Sequence, residues 1–414
     1  MASKYQAPRG TFDVLPEQAR ARARIERAAA GIFARAGYET IATPAFEDTE
    51  LFERGVGRST DVVRKEMFTF EDKGGRSITL RPEGTAPICR AYIEHGMHKL
   101  AQPVKLSYLG PFFRHERPQA GRYRQFHQVG AEAIGADSPL ADAEAIMLLS
   151  DLLGELGVPG VELRLGSLGS LESRRAYLEE LKAHLHAHKG ELSKDVRERI
   201  DVNPLRAFDA DDEGTRTAMA SAPTIVDGLE GEDAEHFAEV RALLDVAGIE
   251  YSIDPSLVRG LDYYTRTIFS FVCDGLGAQS EIGGGGRYDG LIEQLGGPAT
   301  PAVGWAAGIE RILLALDEGE EPVGRDAFIA VADDGDRQRA MALATELRHA
   351  GLSAELDLAS RSLKGQLKHA DRVGARHLVI LEADGSAQLR DMASGEQRPV
   401  DTAKLIDEIA GGAS

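Results

Sequence analysis

Between Gly110 and Glu132 the chain runs GPFFRHERPQAGRYRQFHQVGAE, and no other stretch restricts the fold as tightly. Phe112, Arg114 and Glu116 alternate with Phe113 and His115, which places them on one side of an extended strand. Arg117 to Gly121 contains Pro118, Gln119, Ala120 and Gly121, which is turn chemistry. Beyond it, Phe126, Gln128, Gly130 and Glu132 again share one side by the period of two. The pattern predicts an antiparallel hairpin with one polar face, carrying guanidinium groups, a ring, an amide and a carboxylate, with space left at Gly130. Such a face suits a nucleoside triphosphate, because arginine engages phosphate oxygens in pairs and a flat ring stacks on a base. The plain alternative is a solvated Arg-rich hairpin, since charge runs commonly mark wet surfaces.

Length and charge narrow the setting. A chain of 414 residues has room for two to three domains. Its 48 Lys and Arg against 67 Asp and Glu give a formal charge of −19, which excludes a generic polyanion binder. Contact with nucleic acid then requires local basic patches and is salt-sensitive. Cys89 and Cys273 are the two cysteines and stand far apart, so neither a disulfide framework nor a structural zinc site is expected, and no metal site is predicted. The first residues, MASKYQAPRGTFDVLP, lack the apolar core of a signal peptide, and no run reaches the ~20 apolar residues of a membrane span. A cytoplasmic protein is expected.

Taken in order, residues 17–36 have apolar residues at helical spacing, and Gly37 closes that helix. Glu39 to Phe46 reads as a strand containing Pro44, which marks an edge or a bend. Residues 51–66 read as a charged helix. Phe68 to Phe70 and Ser77 to Leu80 read as a hairpin around Gly74-Gly75. It leads to Arg81-Pro82-Glu83-Gly84-Thr85, a rigid turn that presents Glu83 and Thr85. Glu83 there can bind an ammonium group, or Thr85 can simply cap the helix 86–96. Ser138-Pro139 opens a helix to about Leu156, and 161–168 is strand-like. From 171 to 250 the texture becomes Glu/Lys/His/Ala-rich and helical, as in an insertion. His184, His186 and His188 alternate there, a poor helical metal pattern.

Leu257 to Phe271 returns to strand character and carries Arg259, Asp262, Tyr263, Tyr264 and Arg266. The run Gly283 to Gly286 follows. Four glycines cannot pack a core, but they permit backbone to approach something closely, so an ordered cleft wall is expected. The spacing is not a dinucleotide fingerprint. Ala302 to Leu316 reads as a small-residue strand entering a helix, with Arg311 near its phosphate-favouring start. Leu316 to Asp326 is a Gly/Pro/Glu linker and the expected domain boundary. Beyond it strands and helices alternate in βαβαβ order, which predicts a small, mostly parallel α/β domain. Lys364, Lys368, Arg372 and Arg376 recur every four residues and predict a basic helix face suited to a nucleic-acid backbone.

RGTFDVLP, LRPEGT, the 110–132 segment, LVRGLDYYTRTIF, GGGGRYDGL and AVGWAAGIER occur in an order that resembles the histidyl-tRNA synthetase family over essentially the full length. RSLKGQLKHADRVGARHLVIL resembles the family's C-terminal anticodon-binding domain. The resemblance implies a class II synthetase: an α+β catalytic domain on a mixed, mainly antiparallel sheet over 1–170 and 251–320, a mostly helical insertion over 171–250, and an α/β anticodon-binding domain over 326–414. It implies ATP-dependent activation of L-histidine and its transfer to tRNA-His, with Mg²⁺, in a homodimer.

By the same resemblance Arg114 meets the α-phosphate of ATP, Glu116 the adenine amino group, and Phe126 stacks on the ring, while Arg122 and Arg311 hold the outer phosphates. Glu83 and Thr85 bind the α-ammonium of histidine. Gln128, Glu132, Tyr263 and Tyr264 surround the substrate, with Glu132 reading the imidazole N–H. Arg259 resembles the arginine that stands where other class members place a metal ion. Gln119 reaches the tRNA acceptor end, and Lys364, Lys368 and Arg372 contact tRNA. Trp305 and Ala306 depart from the bulkier aliphatics or Phe common there, as Arg390 departs from Lys, and the insertion matches weakly beyond its NPLR start. The rival reading is a synthetase-like regulatory subunit of ATP phosphoribosyltransferase, which shares the catalytic fold. That paralogue typically lacks the C-terminal domain and loses several substrate residues, whereas Glu83, Arg114, Gln128, Glu132, Arg259 and Arg311 are all present here.

Overall fold

A computed structural model describes residues 5–57, 60–316, 324–333 and 336–411. The chain divides into two compact units, Met1–Gly319 and Glu320–Ser414. The first unit is built on an eight-stranded sheet. Its strands are β1 (Glu39–Thr40), β5 (Val104–Phe113), β6 (Gln125–Ile134), β7 (Val161–Ser167), β8 (Ser252–Ile253), β9 (Thr265–Cys273), β10 (Glu281–Arg287) and β11 (Ala302–Gly308). They lie in the order β1-β5-β6-β11-β10-β9-β7-β8, and only the two edge pairs, β1 with β5 and β7 with β8, are parallel. β2 (Phe46–Asp48), β3 (Phe68–Glu71) and β4 (Ser77–Leu80) form a separate three-stranded sheet, β2-β4-β3. Pro44 therefore does more than bend a strand. With no N–H to donate, it separates two short strands that belong to different sheets.

Helices cover the sheet. α1 (Pro16–Arg35) and α4 (Pro139–Leu156) pack on it through Ile25, Ile32, Phe33, Ile146, Leu149 and Leu152, all buried in one core with Val129, Phe269 and Trp305. Ser138 caps α4 by accepting the Leu140 N–H at 3.2 Å, and Pro139 occupies the first turn, where no N–H is needed. Residues 49–66 are not one helix. They form α2 (Thr49–Phe52) and two π-helical turns, Glu53–Gly57 and Val62–Glu66. α3 (Thr85–Glu94) follows the Arg81–Gly84 turn.

The stretch 171–250 is helical but not one unit. α5 (Leu171–Ala187), α6 (Lys194–Arg199) and α7 (Glu213–Met219) surround their own apolar cluster of Leu181, Leu185, Ile200 and Ala218. α8 (Gly231–Val246) instead places Phe237, Val240 and Leu244 in the core of the main sheet. The unit closes with α9 (Leu291–Gln294) and α10 (Ile309–Leu316).

The second unit holds β12 (Arg325–Val331), α11 (Arg337–His349), β13 (Ala354–Leu356), α12 (Leu363–Arg372), β14 (Ala375–Leu381), β15 (Ala387–Asp391), β16 (Gln397–Val400) and α13 (Leu405–Gly411). β13-β12-β14 is parallel as the alternation predicts. β15 and β16, which the expected βαβαβ order leaves out, extend it antiparallel. Arg376 lies on β14, past the end of α12, and pairs with Asp326 at 3.3 Å. The basic helix face is therefore Lys364, Lys368 and Arg372, all exposed.

Candidate active site

β6, β11 and β10 lie side by side in the middle of the sheet, and β10 and β11 bring mostly glycine and alanine to the cleft. The glycine run is strand, not loop. A Cβ on Gly284 would overlap the Phe269 carbonyl, and one on Gly285 the Gly304 carbonyl. The backbones can therefore close up and leave a hollow above. That hollow is a cleft of about 870 Å³, counted out to its open mouth. Glu83, Thr85, Arg114, Glu116, Arg122, Phe126, Gln128, Arg259, Tyr263, Tyr264 and Arg311 all line it, although they come from five separate stretches of sequence.

The mouth is cationic. β5 ends at Phe113, so Arg114 and Glu116 stand on the loop beyond the strand. Arg114 donates from Nε to the Pro82 carbonyl at 2.9 Å, which ties the hairpin to the Glu83 turn. Its guanidinium lies over the Phe126 ring, 5.5 Å from the centroid. Glu116 stands 3.2 Å from Arg122 and 3.8 Å from Arg114. Arg311, in the first turn of α10, donates to the carbonyls of Gly121 (3.1 Å) and Glu281 (2.6 Å). Burial lowers its pKa, and the neighbouring Arg122 and Arg114 add to that effect. Cations crowded this way favour an arriving anion. Gln119 forms a bridge with Arg122 at the exposed hairpin tip, outside the cleft.

Arg259 lies on the far wall. It donates to Glu281 at 2.7 Å and lies over the Tyr264 ring at 5.8 Å. Burial by itself would lower its pKa, but Glu281 and the adjacent phenols outweigh burial and hold it firmly charged. The 257–264 stretch, read as strand, is loop, and β9 begins only at Thr265. This frees Tyr263 and Tyr264, neighbours in sequence, to enter the cleft together with rings 4.7 Å apart.

The floor is buried and acidic. Glu83 accepts the Thr85 N–H at 2.7 Å and the Ala86 N–H at 3.0 Å, so the glutamate, not the threonine, satisfies the start of α3. Thr85 is left to donate its hydroxyl to Glu132 at 2.8 Å. Glu132 has no exposed surface and does not line the cleft wall. Its second oxygen accepts the Tyr288 hydroxyl at 2.6 Å, and a Cβ on Gly304 would collide with it. Burial pushes the Glu132 carboxyl up to about 8, against the pull of the two hydroxyl donors. Burial also raises Glu83, and the two N–H groups and Arg114 oppose that only in part. Among the described residues the Gln128 carbonyl oxygen and the Tyr108 hydroxyl, buried at the cleft, have no hydrogen-bond partner.

Tyr288, Glu281 and Tyr108 are site residues that the sequence patterns did not single out. Tyr288 and Glu281 flank the glycine run at its two ends, and their place beside it was the available signal. Tyr108 carried none, since it reads as an ordinary strand residue of β5.

A mainly antiparallel sheet with an arginine-lined cleft, joined to a separate unit on a mixed sheet, defines a class II aminoacyl-tRNA synthetase. A family model described as histidyl-tRNA synthetase matches residues 10–312, and one described as an anticodon binding domain matches 326–411. The chain is 47% identical over 412 residues to the histidine–tRNA ligase of Halothermothrix orenii, covering 98% of each chain. It is 47% identical over 422 residues to that of Rubrobacter xylanophilus, covering 98% of this chain and 100% of the relative. The apo histidyl-tRNA synthetase of S. aureus superposes with a TM-score of 0.82 at 38% identity, covering 98% of this chain and 99% of that one. The chain belongs to the histidyl-tRNA synthetase family. A Bacillus halodurans structure titled as an ATP phosphoribosyltransferase regulatory subunit/histidyl-tRNA synthetase shares the fold, with a TM-score of 0.69 at 22% identity.

Proposed function

We infer that the chain is a histidine–tRNA ligase that activates L-histidine with ATP and transfers it to tRNA-His. The observation that carries this is the division of one cleft. Its mouth holds Arg114, Arg122 and Arg311, its floor holds Glu83 and Thr85, and the buried Glu132–Tyr288 pair lies behind Thr85. The triphosphate of ATP takes the arginines, with Phe126 under the base and Glu116 on its amino group. The α-ammonium of histidine takes Glu83, Thr85 and Gln128, and the imidazole lies between the Tyr263–Tyr264 wall and Glu132. Each Glu132 oxygen already accepts one hydroxyl and keeps a further lone pair for the imidazole N–H. An analogue without that N–H leaves a buried carboxylate short of a donor, which is strong selection.

No protein nucleophile is needed. The histidine carboxylate attacks the α-phosphorus in line and pyrophosphate leaves, while Arg114 and Arg259 neutralise the charge that builds on the α-phosphate. Among the described residues no group of three or more His, Cys, Asp or Glu could hold a metal. Mg²⁺ needs only one or two carboxylates besides phosphate oxygens, and Glu281 would supply one at the cleft. Bound with the nucleotide, the ion would neutralise the outer phosphates. The second unit takes the anticodon region, with Lys364, Lys368 and Arg372 on the backbone, and Gln119 reaches the acceptor end. Among the described residues no helix is long and apolar enough to cross a membrane, in keeping with a cytoplasmic place of action. Phe46 and Phe70, 55% and 49% exposed, share one face of the three-stranded sheet by its register and offer an apolar patch for a homodimer.

Histidine-dependent ATP–pyrophosphate exchange, with other amino acids as controls, tests the reading. Exchange with histidine alone is expected. A folded protein with none would instead favour the regulatory-subunit role.

A further inference from the structure

The helical insertion reaches the amino-acid end of the cleft through one partly buried side chain, Arg174. Arg174, in the first turns of α5, donates from Nη1 to the Asp262 carbonyl at 3.1 Å and to the Tyr264 carbonyl at 2.9 Å. These two carbonyls bracket Tyr263. They belong to a loop that has no strand partner before Thr265. Its other anchors include the Arg259–Glu281 bond at 2.7 Å, the Asp262 N–H on the Val56 carbonyl at 3.1 Å, and Arg266, whose N–H meets the Gly169 carbonyl at 2.6 Å and whose carbonyl accepts the Leu168 N–H at 2.7 Å.

The base from which Arg174 acts is itself fixed. Asp233 accepts the Ser170 N–H at 2.8 Å and the Ser173 hydroxyl at 2.6 Å, at the start of α5. The NPLR segment supplies a second tie, since Arg206 pairs with Asp61, and Arg199 lies 3.6 Å from the same carboxylate. Asp61 precedes the Val62–Glu66 turn, in the segment that follows Val56.

Burial lowers the Arg174 pKa, with Asp262 working against it, so a cation is costly to keep here. An apolar chain of similar length would fill the space without that cost. What the guanidinium adds is a pair of charge-assisted N–H bonds to one short stretch of backbone.

We propose that Arg174 is a positioning residue for the amino-acid half of the reaction: from the helical insertion it sets the backbone that carries Tyr263 and Tyr264, and through it the affinity for histidine. The proposal rests on the reading that these phenols bound the histidine site. Steady-state pyrophosphate exchange on the full chain tests it, with Arg174→Met and Arg174→Lys compared and Tyr264→Phe as a control on the pocket. Arg174→Met is expected to raise KM for histidine by about 10-fold or more and to leave KM for ATP within about twofold, the loss belonging to two hydrogen bonds from a charged donor. Arg174→Lys, which keeps a charged donor on a long stem, is expected to recover most of the affinity. A lower melting temperature with an unchanged histidine KM would reduce Arg174 to a structural role and overturn the proposal. If Tyr264→Phe leaves the histidine KM unmoved, the pocket reading fails instead. Should Arg174→Met not fold, Arg174→Gln carries the test, and equal changes in both KM values, or none, overturn it.

Discussion

The two ends of the cleft are made from different parts of the secondary structure. Arg114, Glu116 and Arg122 stand on the connection between β5 and β6, and Arg311 stands at a helix start, all partly wet. Glu132, Thr85 and Tyr288 are buried at mid-strand, at a helix N-terminus and just past a strand end, and hydrogen-bond one another beneath Gly304. A polyphosphate arrives with its charge and needs many cations that can adjust. A small amino acid must be told from its analogues, and discrimination is strongest where water cannot substitute for a lost partner. Half-exposed charge stands at element ends, and fully buried polarity stands around Glu132.

The sharpest way to break this division is Arg259→Ala. It should cut pyrophosphate exchange by about 10²-fold or more, the range for a lost preorganised charge. Near-normal exchange would remove Arg259 from the chemistry. Next, Glu132→Gln should raise KM for histidine by roughly 10- to 100-fold, the cost of a hydrogen bond to a charged group, with KM for ATP little changed. Equal effects on both substrates would mean that floor and mouth are not separate.

Charge removal at Lys364, Lys368 and Arg372 together should weaken tRNA binding about 10-fold and lower the salt slope by about 3. Amino-acid activation should be untouched, and unchanged tRNA affinity would refute the basic face. The smallest effect expected is in pH. Glu132 has a folded pKa of about 8, above the 4.5 of an ordinary glutamate, so the ligand-free fold holds a proton that the unfolded chain releases. Its contribution to stability is complete below about 4.5 and fades as pH rises through 8. The melting temperature of the ligand-free protein should therefore fall less between pH 6 and 9 in Glu132→Gln than in the parent.

Periodicity made the centre of the molecule legible. The period of two put Phe126, Gln128, Gly130 and Glu132 on one side of β6, and that side does meet the cleft. Ser138-Pro139 marked the start of α4, and Pro16 that of α1. Where local pattern and tertiary partner disagreed, reading failed. Leu257 to Tyr264 is rich in strand-forming residues, yet it is held as loop by Arg174 and Val56, groups distant in sequence. β16 is short, polar and on the sheet edge, so it shows no apolar alternation, and β15 alternates Ala387 and Leu389 with Gln388 and Arg390 over only five residues. Arg376 keeps the four-residue spacing of α12, but Gly374, at φ +65°, ends the helix before it.

The sequence by itself determined which residues the site could use, because the chemistry of Arg, Glu and Tyr and the closeness permitted by four glycines are properties of residue type. Only the tertiary structure decided which of them act on one another. Glu83 takes the helix start and leaves Thr85 to Glu132, Tyr288 closes over the same carboxylate, and an arginine of the insertion holds the loop of Tyr263 and Tyr264. Apart from the local Glu83 contact, each of those pairings joins elements tens of residues apart, and hydrogen bonds at that separation are set by how the sheet stacks its strands, which no local pattern records.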